Sequence, residues 1–177
     1  GSEMCIRDSI TTVVIGGFAI FLAALIALSM NKDSADGEIT STLSETLTDY
    51  PKNLNFAALI VPDVYGSDQV GGLVVCPGTS EKDLSEAQVD TADIEFEDGK
   101  VADDVNYFVT VSTEQEYHAE KLQRSNVDLC DELLKQTEAA KQQGQDLPAV
   151  YPVQPNTPMQ FLRAEKDDDS TNWHFVG

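Results

Sequence analysis

Positively charged side chains are scarce in this chain, and this scarcity argues against nucleic acids and anionic lipids as partners. The 177 residues include 11 lysines and arginines against 31 aspartates and glutamates, giving a formal net charge of −20 and a pI near 4.1. A surface of this sign repels nucleic-acid phosphates and anionic lipid headgroups, and it attracts basic proteins or cations. We therefore expect no nucleic-acid binding and take a basic protein as one candidate partner.

Histidines are few, and the common catalytic motifs are missing. The two histidines are His118 and His174, whereas a metal site needs several converging ligands. The acidic run at 167–169 lacks the glycine and closing glutamate of a dedicated calcium loop. No Gly-Lys-Ser/Thr phosphate loop, GxGxxG or GxSxG occurs. From the sequence we assign no catalytic residue, no metal ligand and no cofactor, and we favour a protein that is not an enzyme.

Cysteine occurs at three positions, and the first of them is doubtful as part of the protein. Cys5 lies in the opening nonapeptide GSEMCIRDS, which resembles the translated read-through of a sequencing-library adapter. On that interpretation residues 1–9 are an artefact and the true amino terminus is missing. The alternative is a short cytoplasmic head, in which Arg7 agrees with the tendency of cytoplasmic flanks to be basic.

The remaining two cysteines, Cys76 and Cys130, form an even pair. In an exported protein such a pair usually forms a disulfide. The bridge would close a loop of 54 positions, worth roughly 4 kcal/mol in the chain-entropy estimate. The alternative treats the CPGT stretch as a redox site, in which a helix start lowers the pKa of Cys76. Thiol–disulfide enzymes usually carry a second cysteine three residues on, and here that residue is Thr79.

One long apolar run, Ile10 to Met30, contains 21 residues without a charge. As a helix it would be roughly 30 Å long, the thickness of the hydrocarbon core of a bilayer. It is longer than the core of a cleaved signal, about 7–15 residues, and the polar, acidic residues after it suit a segment that has crossed to the outside. We predict an uncleaved single-pass helix in the cell membrane with the C-terminal domain extracytoplasmic. The alternative is a signal cleaved after Ala27-Leu28-Ser29.

Small residues recur along one face of this predicted transmembrane helix. Such a row lets a second helix approach closely, which predicts an integral membrane protein as a partner. The alternative is that glycine and alanine are simply common in membrane helices. The face consists of Gly16, Ala19, Ala23 and Ala27.

The rest of the chain divides into a stalk and one domain. Residues 31–55 are rich in Ser, Thr, Asp and Glu and predict a flexible acidic stalk, with a short helix around 43–47. Residues 56–177 predict a small extracytoplasmic α+β domain with antiparallel strands, two helices and the disulfide.

Within that domain, hydrophobic periodicity and turn residues predict the individual elements. Strands are expected where apolar residues run together or alternate, and helices where a cap precedes a 3.6-residue period. The strands 56–61 and 73–76 suggest a hairpin, although the intervening residues leave room for another connection. The predicted helices are 80–87, capped by Ser80 and Asp83, and one within 126–144, with Asp128 as a cap candidate and Gly144 past its end. The other predicted strands are 105–112, 117–122, 159–164 and 172–176, with an extended proline-rich stretch at 146–158.

The organisation resembles small exported, membrane-anchored proteins of actinobacteria, including accessory subunits of their respiratory supercomplex. The resemblance covers the apolar helix, the acidic stalk, and the LVVCPG and VDLC stretches that each carry one cysteine. It implies that the small-residue face docks on an integral subunit and that the acidic domain lies over the outer side of the complex. No functional residue is carried over from it.

These features predict a membrane-tethered, non-enzymatic extracytoplasmic protein, either a binding subunit or an accessory, scaffolding subunit of a membrane complex. One alternative is an exported thiol-redox enzyme, or another enzyme, centred on Cys76. A second alternative is a secreted acidic binding domain, which requires cleavage of the apolar segment.

Overall fold

The computed structural model describes residues 41–147, 150–165 and 171–177. The predicted transmembrane helix at 10–30, most of the predicted stalk and the acidic run at 167–169 lie outside these ranges. So do Gly16, Ala19, Ala23 and Ala27, the predicted helix-packing face. Within the described ranges, no helix is both long enough and apolar enough to cross a membrane.

The described residues form a mixed α+β fold with eight strands and four helices. The prediction of an α+β fold is confirmed, and so is the short helix predicted around 43–47. The described part of the predicted domain over 56–177 has three helices instead of two, because the helix Val61–Tyr65 is too short to show a helical period. The strands are β1 (Phe56–Leu59), β2 (Gln69–Val75), β3 (Val105–Ser112), β4 (Tyr117–Gln123), β5 (Val127–Asp128), β6 (Val150–Val153), β7 (Met159–Glu165) and β8 (Thr171–Phe175); the helices are α1 (Leu43–Thr48), α2 (Val61–Tyr65), α3 (Glu81–Glu86) and α4 (Asp131–Gln142).

The strands form two four-stranded sheets. Sheet 1 has the order β1-β7-β8-β5, and sheet 2 has the order β4-β3-β2-β6. All pairs in sheet 2 are antiparallel, and in sheet 1 only the short β5 runs parallel to its neighbour β8. The predicted antiparallel pairing of 105–112 with 117–122, and of 159–164 with 172–176, is confirmed.

The suggested hairpin between the first two strands is wrong. β1 pairs with β7, whereas β2 pairs with β3 and β6 in the other sheet. Pro62 explains the difference, because it lies in the first turn of α2, a position that needs no backbone donor. The chain therefore leaves sheet 1 through α2 instead of turning back beside β1.

Side chains on the two faces of sheet 2 belong to two different cores. The core between the sheets contains Val74 and Phe108 of sheet 2 together with Phe161 and Trp173 of sheet 1. The opposite face of sheet 2 has a core of its own. It is formed by the residues of β2 and β3 that alternate with those facing sheet 1, and α3 and the segment 87–102 cover it. Residues of β3 alternate between two faces as predicted, but each face packs into a buried core. All eight residues of β3 are therefore buried.

The prediction of a flexible stalk over 31–55 is wrong for residues 41–55. Leu43 and Leu47 of α1 are at most 1% exposed and belong to the core between the sheets. A capping box between Thr42 and Glu45 begins the helix. The acidic composition misled the prediction, because two leucines four residues apart are enough to bury one face of a short helix. Residues 31–40 lie outside the described part of the chain.

Candidate functional site

A concave site lies beside the disulfide, which is present as predicted. Cys76 and Cys130 are bonded with their Cα atoms 5.6 Å apart. Cys76 follows the last residue of β2 and Cys130 immediately precedes α4, so the bridge joins sheet 2 to the longest described helix. Both residues are buried, at 4% and 0% exposure.

The turn after Cys76 shapes one wall of the site. The Thr79 N–H donates to the Cys76 carbonyl at 3.2 Å, and Gly78 takes a positive φ of 81° that favours glycine. Gly78 and Thr79 also exchange backbone hydrogen bonds with Val101, at 2.8 and 2.9 Å. These bonds hold the segment around Lys100 against the turn.

Buried polar side chains fix the start of α4 beside the disulfide. The Asp128 carboxylate accepts the backbone N–H groups of Cys130 and Asp131 at 2.9 and 3.0 Å. The prediction of Asp128 as the helix cap is wrong in position, because the N-cap is Cys130 and Asp128 lies at the end of β5. Arg124 pairs with the other Asp128 oxygen at 3.0 Å. The Asn106 amide donates to the carbonyls of two neighbouring segments and accepts the Leu129 N–H at 2.6 Å.

Between the turn and α4 lies a groove of about 540 Å³. It is the size of a small-molecule or short-peptide site. We call it the disulfide groove. It is lined by the turn residues 76–79, by Asp83 and Lys100, by Leu134, Thr137 and Lys141 of α4, and by Asp146, Leu147 and Tyr151.

The disulfide groove carries two lysines in a strongly acidic chain. Within the described ranges, neither Lys100 nor Lys141 forms an ion pair, whereas Lys82, Lys121 and Lys135 do.

The two carboxylates of the groove, Asp83 and Asp146, differ in their surroundings. Asp83 accepts the Ser80 hydroxyl at 2.7 Å and the Ser80 N–H at 3.0 Å, and these hydrogen bonds lower the pKa of Asp83. The Asp83 carboxylate therefore caps the start of α3. The predicted capping box of Ser80 and Asp83 is confirmed. Asp146 is exposed.

The polar wall formed by α4 and β6 is internally satisfied. The hydroxyls of Thr137 and Tyr151 are hydrogen-bonded to each other, and the Thr137 hydroxyl also donates to the Leu133 carbonyl at 2.8 Å. The arrangement suits reversible binding of a polar ligand that carries a carboxylate or a similar anionic group for the two lysines.

The two histidines of the chain lie in different sheets. His118 lies on β4 of sheet 2 and His174 on β8 of sheet 1. Among the described residues, no group of three or more His, Cys, Asp or Glu side chains could hold a metal ion.

Sequence reasoning missed Glu120, a buried carboxylate with three hydrogen-bond partners. Glu120 lies two residues from His118 and four from Glu116 along the chain, a pattern typical of a solvated strand face, but Glu120 is 8% exposed. Its oxygens accept the backbone N–H groups of Leu43 and Ser44 at 2.9 Å each, together with the Tyr65 hydroxyl. Burial and the Glu120 charge raise the pKa of Tyr65 well above its usual value. Leu122, two residues on and buried on the same face, was the available signal.

No protein-family model matches this chain, and no curated protein and no solved structure is similar to it. Functional inference therefore starts from the geometry and chemistry described above.

Proposed function

We propose that this protein is a membrane-tethered, non-enzymatic binding or accessory subunit whose folded domain lies outside the cytoplasm. The observation that carries the proposal is the Cys76–Cys130 bridge, because structural disulfides persist in oxidising compartments and are rare in the cytosol. The apolar run 10–30 supports the tether, since it has the length of a membrane span.

Burial of the bridge favours a structural over a catalytic role for Cys76. A redox-active disulfide exposes one sulfur to its substrate, whereas Cys76 and Cys130 are almost inaccessible. The disulfide groove supports the binding part of the proposal, because it presents Lys100 and Lys141 beside a rigid turn and a rigid helix. On this proposal the groove receives an anionic segment or ligand of a membrane-complex partner.

Cell fractionation tests the location. The full chain, expressed in a bacterial host, should remain in membranes after an alkaline wash and should be degraded by protease added outside the inner membrane. Its electrophoretic mobility should change on reduction, and a Cys76→Ser variant should remove that change. Recovery of a soluble chain that begins near Asn31 would contradict the tether, and a fast-reacting thiol at Cys76 in the native chain would favour the thiol-redox alternative.

Gentle detergent extraction from the organism of origin tests the binding role. We expect a membrane protein to co-purify in stoichiometric amount with the wild-type chain. The variant Lys100→Gln/Lys141→Gln should lose it, while Lys82→Gln/Lys135→Gln removes the same charge outside the groove and should retain it. Equal retention by both variants would exclude the disulfide groove as the binding site.

A further inference from the structure

Strand β4 forms one edge of sheet 2, beside β3. The Ser112 N–H donates to the Glu116 carbonyl at 3.0 Å, and the Arg124 N–H donates to the Asp104 carbonyl at 2.9 Å. Hydrogen-bonded and non-hydrogen-bonded pairs alternate along an antiparallel ladder, so the even-numbered residues of β4 bond to β3. The odd-numbered residues therefore direct their backbone N–H and C=O groups away from the sheet.

Three of these odd-numbered residues, Tyr117, Ala119 and Lys121, form an open stretch of the edge. Among the described residues, no backbone–backbone hydrogen bond outside the sheet uses their N–H or C=O groups. Gln123, the next odd-numbered residue, differs because its carbonyl accepts the Asn126 N–H at 2.9 Å. The stretch therefore presents one donor and one acceptor at every second residue, which is the pattern that an added strand pairs with.

The other sheet edges in the described part of the chain are shorter or contain proline. β6, at the opposite edge of sheet 2, contains Pro152, which has no N–H to donate. In sheet 1, β1 has four residues and is followed by Pro62 in α2, and β5 has two residues. β4 has seven residues and contains neither proline nor glycine. It is therefore the described edge best suited to receive another strand.

The surroundings of this edge are acidic. Glu116 immediately precedes β4 and is exposed. Burial, and then the charge of Asp90, raise the pKa of Tyr117, which places the Asp90 carboxylate near the start of the edge. Lys121, the lysine of β4, is already paired with Glu95. A strand added here would meet uncompensated negative charge, which favours basic side chains.

We propose that β4 binds an extended, basic segment of a partner protein by strand addition. The outward backbone groups of Tyr117, Ala119 and Lys121 supply the pairing, and Glu116 and Asp90 attract lysine or arginine at alternate positions of the segment. A second copy of this chain fits less well, because edge-to-edge pairing would bring the same carboxylates together. None of these residues lines the disulfide groove, and the inference does not depend on the proposed membrane tether.

Peptide binding by the full chain in detergent micelles tests whether backbone pairing holds the segment. The probe is a fluorescent synthetic peptide of alternating lysine and valine, about nine residues long. The control peptide has the same sequence and charge but carries an N-methyl group on each backbone amide, so it cannot donate the pairing hydrogen bonds. It should bind about tenfold more weakly. Equal affinity of the two peptides would mean that charge alone attracts them, and it would overturn the proposal.

Substitutions in the full chain test whether β4 is the edge that is used. Ala119→Pro removes one outward donor without removing a hydrogen bond to β3, and it should weaken peptide binding about tenfold. Ala119→Val keeps the N–H and should bind as wild type does. Glu116→Gln should weaken binding about threefold at low salt, whereas Glu138→Gln, the same change on exposed α4, should not.

If Ala119→Pro unfolds, as judged by circular dichroism, amide hydrogen exchange in the wild-type chain replaces it. The peptide should slow exchange of the Tyr117, Ala119 and Lys121 amides, and unchanged exchange there would overturn the proposal. So would a wild-type chain that does not bind the peptide, or a folded Ala119→Pro chain that binds it as wild type does. A wild-type chain that dimerises in sedimentation, with the dimer lost in Ala119→Pro, would assign the edge to a second copy and would also overturn it.

Discussion

The indole N–H of Trp173 donates a hydrogen bond to the carbonyl of Leu47, 126 residues earlier in the chain, at 3.0 Å. This bond attaches the first described helix, α1, to strand β8 near the end of the chain. Tyr50 packs edge-on against the same indole, with ring centroids 5.5 Å apart. These contacts pack Leu47 and Tyr50 against the domain, although the composition of this segment predicts a stalk.

Arg163 also holds the same segment. Its guanidinium lies 4.4 Å from the Trp173 ring centroid and donates to the carbonyls of Lys52, Tyr50 and Pro51. Lysine at this position keeps the charge but cannot reproduce the planar fork. We expect Arg163→Lys to lower the free energy of unfolding by about 1–2 kcal/mol and to speed amide hydrogen exchange in residues 43–52.

Arg124→Lys is the matched control for that prediction. Arg124 makes comparable contacts with Asp128 and the Asp103 carbonyl, away from α1. Its replacement should leave exchange in residues 43–52 unchanged. If both variants accelerate exchange there equally, Arg163 has no local role in holding the segment.

Removal of the disulfide should destabilise the domain strongly. The double variant Cys76→Ala/Cys130→Ala frees a loop of 54 positions in the unfolded chain, and we expect the free energy of unfolding to fall by about 4 kcal/mol. Urea denaturation of the variant, and of the wild-type chain with and without a reductant, measures the loss. Cys5→Ser serves as the control, and an unchanged urea midpoint after reduction would contradict the prediction.

Glu120 should be more important to stability than any exposed carboxylate. Glu120→Gln leaves one oxygen to serve the Leu43 and Ser44 N–H groups, so one buried donor loses its partner. We expect a loss of about 1–3 kcal/mol in the free energy of unfolding. Glu116→Gln, the same substitution at an exposed residue just before β4, should change it little. Equal urea midpoints for the two variants would refute a structural role for Glu120.

Tyr65 should make the protein sensitive to alkali. Burial, and then the charge of Glu120, raise the pKa of Tyr65 in the folded state. Its contribution is fully present below about pH 10, the pKa of tyrosine in an unfolded chain, and is lost as the pH rises from there towards the higher folded pKa. The free energy of unfolding should fall by up to about 1.4 kcal/mol per pH unit in that range. Tyr65→Phe should remove this part of the pH slope, and an identical slope in both proteins would count against it.

Gly72 should not accept a side chain. A Cβ atom there would lie 2.3 Å from Cζ of Phe108, a buried ring stacked on Tyr65 with centroids 5.4 Å apart. We expect Gly72→Ala to cost about 1–3 kcal/mol, because the ring has no free space to occupy. In the double variant Gly72→Ala/Phe108→Leu the two losses should be less than additive when measured by urea denaturation, since the smaller side chain relieves the clash. Strict additivity would mean that this contact does not limit the position.

Local sequence determined the elements whose signals lie within a few residues. Ser80 and Asp83 cap α3 because a hydroxyl and a carboxylate three positions apart satisfy the first backbone donors of a helix. Alternating apolar residues predicted β3, and the pair Cys76 and Cys130 predicted the bridge, because two cysteines allow only one intramolecular pairing.

Tertiary structure alone decided which surfaces are buried and which elements are neighbours. The carboxylate of Glu120 and the acidic segment around Leu47 look solvated in sequence, and they are buried because strands from distant parts of the chain supply their partners. The exposed apolar pair Phe56 and Leu162 arises likewise, since these two residues meet only through the register of β1 with β7. Hydrophobic periodicity and helix capping are local properties. Strand pairing depends on contacts between residues far apart in sequence, and no local pattern encodes those contacts.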